Sequence, residues 1–553
     1  MSGNLFAQPL NVSAALTHQQ IPAWSYDYLA EVLATTERPT SLFRSFISGD
    51  QTIRDGVNHA VEYLTADKRP VDKKAAFLFQ DGTGTGKGFE AVLVAKALSA
   101  HWDQPALLVT RRDLIPGLRG DLVKLGLSSD HLEIAATEDL ATVAANSLDR
   151  KTSYAAVILD EAQDLRFPVV QGCLDLIPAK SLVLLSATPY RNGDEFSHLV
   201  SRLDAERPAP SLDVADIRST VTRLTQAGAI VHREFPFWGN FQSPLLANVS
   251  FAGTEQTTAV RKDYQEQLDE VGTPEARVEL EHRLAMKLNS VSDRDKFSIL
   301  GDAVRRELTQ GRKVVVFYEE HQGPMIESDP GFGQPFQHHL QSLGIEAAVI
   351  RAPETPSRPL LPRERNAARE AQTAASNQRE MNRFIDGLLY DPQTRTFARC
   401  QDDSGQAVYS PSQTRVLLLP YSQAPGWAEI NQRFEDAPRV TQLLLPVSEA
   451  DDFLQAVGRG SRRNSCGPAR CRVVSSTHDS DRVRLQTLNA GLKVLAANGS
   501  PTVAVVQNAV SIVRDQIERA MLGQTNEQNI ASRVRQGQIG DHIKLRPQGI
   551  RAG

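Results

Sequence analysis

The chain has 553 residues, 41% of them apolar and 23% charged, so several buried cores are expected and global disorder is excluded. Its formal charge of −5 excludes a uniformly basic coat, so any contact with nucleic acid must come from a local basic surface. Four cysteines (Cys173, Cys400, Cys466, Cys471) are too few and too scattered for a disulfide scaffold and imply free thiols in a reducing compartment.

Residues 1–50 are mixed, with Pro and aromatic residues (IPAWSYDYLAEVL), and predict a helical extension. The start lacks the basic-then-apolar order of a signal peptide, and no apolar run approaches the roughly 18 residues of a membrane span. A cytoplasmic protein that does not touch membranes is expected. Over 51–200, the apolar runs AAFLF (75–79), ALLVT (106–110), AAVILD (155–160) and SLVLLSAT (181–188) read as buried strands. Helical stretches such as FEAVLVAKALSAHW (89–102) lie between them, which predicts a parallel sheet with crossover helices. Residues 201–300 are more polar and predict a helical linker, with a charged helix at TPEARVELEHRLAMKLNSV and one strand candidate at GAIVHREFPF (228–237). Strands return at KVVVFY (313–318), EAAVI (346–350), RVLLLP (415–420) and VTQLLLP (440–446). They predict a second α/β domain over 301–475, with 351–412 as an insertion or long loop. Residues 476–553 form an extension whose end, from NEQNIASRVR onward, reads as a basic, poorly ordered tail.

Four segments carry chemistry. In FQDGTGTGKGFEA a strand runs into a glycine-rich turn and then directly into a helix. Gly82, Gly84 and Gly86 let backbone N–H groups approach phosphates, the helix N-terminus adds partial positive charge, and Lys87 supplies a point charge. The bland alternative is a flexible turn. The position after Lys87 normally carries a Ser or Thr hydroxyl for magnesium; here it is Gly88. Water, or the neighbouring Thr85, can cover that ligand, because magnesium commonly keeps several waters. In AAVILDEAQ, Asp160 is placed to hold magnesium through water and Glu161 to polarise an attacking water. An acidic helix cap is the alternative for this pair. LLSATPYRN places Ser186 and Thr188 at a strand end, where their hydroxyls can bond the carboxylates and sense a γ-phosphate, or merely form a turn. LQAVGRGSRRNS carries Gln455, Arg459 and Arg462; arginines three apart share a helical face and can present two guanidiniums to one target, or form a solvated basic helix.

These four segments, in this order, resemble the superfamily 2 helicases and translocases over about residues 54–475. The resemblance implies two tandem RecA-like P-loop domains and an ATP·Mg²⁺ cleft between them. It also implies Arg459 and Arg462 as arginine fingers, with Gln455 beside them, and a nucleic-acid track on the outer face. PALLVTRRDLIPGLRGDL (105–122), with Arg111 and Arg112, looks like motif Ia, and IAATEDLATVA (134–144), with Thr137, like motif Ib. KVVVFYEE (313–320) looks like motif IV, and LLLPYSQAPGWAEINQ (417–432), with Ser422, like motif V. Such residues grip the sugar-phosphate backbone rather than read bases. Within the superfamily, DGTGTGKG, the run at 112–126 and AIVHREFPF are similar to the Strawberry notch-type helicases, a group with bacterial and phage members. DEAQ departs from that group's DECH, and the Gln expected upstream for adenine is missing from RDGVNHAVEYL (54–64). An ATP-driven motor on DNA is the expected function. The rivals are an RNA motor of the same architecture, a weakly hydrolysing ATP switch, and the motor part of a larger restriction or anti-restriction assembly.

Overall fold

A computed structural model describes residues 51–66, 74–80, 86–124, 127–190, 192–203, 213–232, 239–249, 251–320, 331–352, 363–391, 396–403, 407–426, 430–432, 434–460, 465–497 and 500–535. The first unit runs α1 (Gln51–Thr65), β1 (Ala75–Phe79), α2 (Lys87–Trp102), β2 (Ala106–Thr110), α3 (Ile115–Lys124), β3 (Leu132–Ala136) and α4 (Leu140–Asp149). It continues through β4 (Tyr154–Asp160), α5 (Pro168–Leu176), β5 (Ala179–Leu185), α6 (Gly193–Leu203), α7 (Val214–Gln226) and β6 (Ile230–Val231). The strands form one parallel sheet in the order β3-β2-β4-β5-β1-β6. Every residue of β1, β2 and β4 is buried. That is why these strands read as unbroken apolar runs rather than alternating ones: helices cover both faces of the sheet. SLVLLSAT ends as a strand at Leu185, which leaves Ser186 and Thr188 in the turn beyond it.

The chain then joins the second sheet. β7 (Gly239–Phe241) and β8 (Leu245–Ala247) pair in parallel with its edge strand before a helical hairpin, α8 (Phe251–Glu270) and α9 (Pro274–Asp295), leaves it. The charged segment forms α9 as expected; Thr273 caps it by accepting the Ala276 N–H at 3.3 Å, and Pro274 stands in its first turn. The second unit follows with α10 (Phe297–Thr309), β9 (Lys313–Tyr318), α11 (Gly333–Ser342), β10 (Ala348–Val349), α12 (Arg363–Phe384), and an antiparallel pair, β11 (Leu388–Asp391) and β12 (Thr396–Arg399). It ends with β13 (Val416–Pro420), β14 (Val440–Leu444), α13 (Ala450–Gly460), β15 (Ala469–Ser476), α14 (Asp479–Ala496) and α15 (Pro501–Arg535). Its sheet has the order β10-β13-β9-β14-β15-β7, again parallel throughout. The fold is therefore the expected α/β class: two parallel sheets, each layered with helices.

Three expectations change. Within 351–412, expected as an insertion or long loop, the described residues form α12, which packs on β10 and β13, and the β11–β12 pair, so the loop alternative does not hold for them. The segment 526–535, expected to be poorly ordered, continues α15. GAIVHREFPF contributes only the two-residue β6, and its residues 233–238 lie outside the described residues, as do 1–50 and 536–553. The apolar faces of α14 and α15 bury Leu485, Leu488, Leu492, Val506, Val510 and Ile517 against the second sheet's core. A buried ionic knot fixes the start of α10 to α14. Lys296 Nζ lies 2.6 Å from Asp293 and 2.8 Å from Asp481, and Arg484 lies 2.7 Å from Asp293. Removing one member strands a buried charge, so the knot specifies this packing more than it stabilises it.

Candidate nucleotide site

The site assembles at the C-terminal ends of the first sheet's strands, where parallel α/β sheets leave a crevice for ligands. Gly86 caps α2 in a left-handed conformation, φ 97°, which a side chain would strain, and Lys87 opens the helix half-buried. Gly88 lies in the first helical turn and is not among the positive-φ glycines. Gly82, Gly84 and Thr85 lie outside the described residues.

Asp160 ends β4 and is buried. Thr110, its neighbour at the end of β2, donates to Asp160 Oδ2 at 3.1 Å, and the Glu161 N–H donates to Oδ1 at 3.1 Å. Burial, then the adjacent Glu161 carboxylate, push Asp160 up to about 7, against the pull of Lys87. That pull puts Lys87 within electrostatic reach of Asp160. Glu161 itself is held at φ 61°, an unusual conformation for a non-glycine residue and one that clusters at functional sites. The left-handed turn sets the two carboxylates side by side.

Gln163, the last residue of DEAQ, links the two strand-end segments. Its Nε2 donates to Glu161 Oε2 at 2.6 Å and its Oε1 accepts from Ser186 Oγ at 2.6 Å. Ser186 Oγ in turn accepts the Thr188 N–H at 3.0 Å, and the Ser186 N–H donates to the Phe79 carbonyl at 3.1 Å. Ser186 was expected to bond the carboxylates directly. It reaches Glu161 through Gln163 instead, because the strand ends one residue before it and the amide fills the gap.

The second unit closes on this loop. Arg459 is buried in the last turn of α13. Burial pulls it down to about 10 while the Glu161 carboxylate pushes back, so Glu161 of the first unit lies within electrostatic reach of this guanidinium. Gln455 is buried one turn earlier, and its Oε1 has no hydrogen-bond partner among the described residues. Arg462, expected to share a helical face with Arg459, lies outside the described residues. Arg166, at the end of the 3-10 turn that begins at Ala162, lies 3.9 Å from Asp451 in the first turn of α13. Thr110, Gln163 and Arg166 were not singled out from sequence. The register that sets Val109 beside Leu159 puts Thr110 beside Asp160, a signal available once β2 and β4 are paired.

The residues expected on a nucleic-acid track also sit at strand ends. Arg111 is half-buried and acts electrostatically on Asp164, and Arg112 is exposed and pairs with Asp139 at 2.8 Å. Thr137 Oγ1 is buried without a hydrogen-bond partner among the described residues, and Ser422 is exposed after β13. Arg111, Arg112 and Thr137 share the first unit; Ser422 belongs to the second.

The residues present fit a metal-bound nucleotide. The helix start, Lys87 and the buried Asp160 carboxylate form a donor set of the kind magnesium and phosphates use. Among the described residues no cluster of three or more His, Cys, Asp or Glu side chains could hold a metal by itself. No family model and no curated protein matches the chain. Among solved structures it is similar to the Sulfolobus solfataricus SWI2/SNF2 ATPase core in complex with dsDNA, at 11% identity over 93% of this chain and 98% of that chain, with a TM-score of 0.27. So loose a superposition carries no argument; the two parallel sheets rest on their own strand order and register.

Proposed function

We propose that the chain is an ATP-dependent helicase or translocase of superfamily 2, of the Strawberry notch type, acting on DNA, with its two RecA-like domains spanning about 51–200 and 301–475. The reading is supported above all by one observation: buried Arg459 of the second unit lies within electrostatic reach of Glu161 of the first. The glycine-rich turn with Gly86 and Lys87 would cradle the triphosphate, and Asp160, through water, would hold the magnesium ion. Bound magnesium supplies Lewis-acid charge neutralisation across the phosphates. Glu161 accepts a hydrogen bond from the attacking water and orients it toward the γ-phosphorus. The bond to ADP breaks as the new P–O bond forms. Arg459, with Arg462 as the second finger, stabilises the charge on the equatorial oxygens, an effect of about 10³–10⁵ in rate where such fingers act. Gln163 and Ser186 tie the water-orienting carboxylate to the turn that carries Thr188, so loss of the γ-phosphate can alter both units. Arg111, Arg112, Thr137 and Ser422 would hold the sugar-phosphate backbone.

Lys87→Ala and Glu161→Gln should each abolish nucleic-acid-stimulated ATP turnover, measured with single-stranded DNA, duplex DNA and RNA. Parental turnover in either variant would overturn the assignment of roles. Stimulation by RNA alone would move the substrate from DNA to RNA.

A further inference from the structure

The second sheet has two chemically opposite edges. At its C-terminal edge Glu319 and Glu320 follow β9, Glu449, Asp451 and Asp452 follow β14, and Asp481 follows β15. At its N-terminal edge the order reverses: Arg312 precedes β9, Arg439 precedes β14, Arg470 and Arg472 lie in the first half of β15, and Arg306 sits in the last turn of α10. The register sets Val440 beside Lys313, and therefore Arg439 beside Arg312, while Thr441 stands beside Arg470. With neighbouring strands about 4.8 Å apart, these guanidiniums are crowded onto one edge.

Their shared counter-charge is Glu307, buried and fixed by the Thr441 hydroxyl at 2.8 Å. Arg312 Nε lies 3.6 Å and Arg470 Nη1 3.9 Å from Glu307 Oε2. Burial, then the Arg470 charge, hold Arg312 below its usual range; Glu307 opposes this and Arg439 adds to it. Arg472 is likewise pulled down by burial first, and then by Arg306 and Arg470 against Glu307. Glu435 and Asp436, on the loop before Arg439, act instead on Cys466 and Tyr409. Arg312, Arg470 and Arg472 thus share the Glu307 carboxylate, and Arg439 and Arg306 add like charge beside Arg312 and Arg472, in a chain whose total charge is −5. Such crowding disfavours the free protein and favours a polyanion that separates the charges.

We propose that this edge binds the phosphodiester backbone of a nucleic-acid duplex, as a contact separate from the strand-end surface on the opposite edge. The inference rests on the chain being a nucleic-acid motor. Phosphate suits the cluster better than an acidic protein does. Guanidinium forks match phosphate oxygens, and none of the exposed large apolar residues among the described residues lies on α10, β9, β14 or β15 to seed a protein interface. A contact here keeps duplex attached to the second unit while the opposite edge steps.

The test is fluorescence anisotropy of a short labelled DNA duplex across a salt series, without nucleotide. It compares the parent with Arg306→Glu/Arg439→Glu/Arg470→Glu, with the corresponding Arg→Lys variant, and with Arg218→Glu/Arg277→Glu/Arg283→Glu as a charge-matched control. The expected result is a log–log salt slope shallower by about two to three for the edge variant, since each neutralised phosphate contributes about 0.9. The Lys variant and the control should keep slopes near the parent's, and ATPase without nucleic acid should be unchanged in all. An edge variant indistinguishable from the control overturns this inference and leaves the motor reading intact. A parent that binds no duplex at any salt overturns both.

Discussion

Gln163 is the residue whose removal most sharply tests how the site works. Gln163→Ala deletes two 2.6 Å hydrogen bonds at once, one to the Glu161 carboxylate and one from the Ser186 hydroxyl. A bond to a charged group contributes about 1.5–3 kcal/mol and a neutral one about 1, so the local arrangement should lose about 2–4 kcal/mol. Little of that reaches nucleotide binding, because Lys87, Gly86 and Asp160 keep their places. It falls on the orientation of Glu161. Positioned acid–base groups contribute about 10²–10⁴ in rate, so losing part of that orientation should lower kcat by about tenfold to a hundredfold, with KM for ATP within about twofold.

Ser186→Ala breaks the second bond and the one its hydroxyl accepts from the Thr188 N–H, but leaves the Gln163 bond to Glu161 in place, so it should cost less in kcat. The double variant should be no worse than Gln163→Ala alone, because both substitutions cut one chain of contacts. Gln163→Glu adds a sign to the test. Two carboxylates at this distance cannot both ionise freely, so one pKa rises. The protonated form can still donate to Glu161; the doubly ionised form cannot. Turnover of this variant should therefore fall as pH rises through the raised pKa, a limb the parent lacks. Steady-state kinetics across pH reads all of this. Parental kcat in Gln163→Ala, or additive losses in the double variant, would refute the relay.

Three further outcomes are expected. Asp160, raised to about 7 chiefly by burial, is neutral below that pH and must ionise to face a cation, so stabilisation by Mg²⁺·ATP in thermal unfolding should grow from about pH 6 to pH 8. Thr110→Val removes a bond that favours the ionised form and should shift that rise to higher pH; no shift would exclude the role given to this bond. Arg166→Ala and Asp451→Ala should each loosen the closed arrangement by about 1–2 kcal/mol, given that Arg166 is partly exposed, and the exchange Arg166→Asp/Asp451→Arg should recover much of it in kcat and in the solution radius of gyration. Gly88→Thr, in a helical turn without positive φ, should fold without strain and lower the magnesium concentration needed for half-maximal ATPase.

The parts of the fold that are most deeply buried were the most legible. β1, β2 and β9 match their apolar runs residue for residue, because a parallel strand covered on both faces has no polar alternation to confuse its limits. β15 was missed because Arg470 and Arg472 alternate with Ala469, Cys471 and Val473, which hides a core strand behind charge. β3 was missed because its exposed Glu133 interrupts the run at the sheet's edge. At the candidate site, Lys87, Asp160, Glu161 and Ser186 could be singled out from sequence because their chemistry sits in short segments. Gln163 was quoted but not weighed, since its role depends on Ser186, 23 residues away. Arg166 carries no local signal at all; its partner Asp451 belongs to the other unit.

These placements also bear on the missing hydroxyl at position 88. Among the described residues, Asp160 and Glu161 act with Lys87 and Arg459, and Glu449, Asp451 and Asp452 act with Arg166. Burial and the neighbouring carboxylates push Asp160 and Asp452 each up to about 7. Carboxylates so raised lack full compensation by positive charge, and under the proposed function a divalent cation entering with the triphosphate would supply it. A site with that electrostatic deficit draws magnesium through charge rather than through a full set of fixed ligands, and waters can complete the coordination. On this reasoning the Gly88→Thr gain in magnesium affinity should be small at pH 8, where Asp160 is ionised, and larger at pH 6, where it is not. Equal gains at both pH values would mean that the hydroxyl, and not the buried carboxylate, limits the metal.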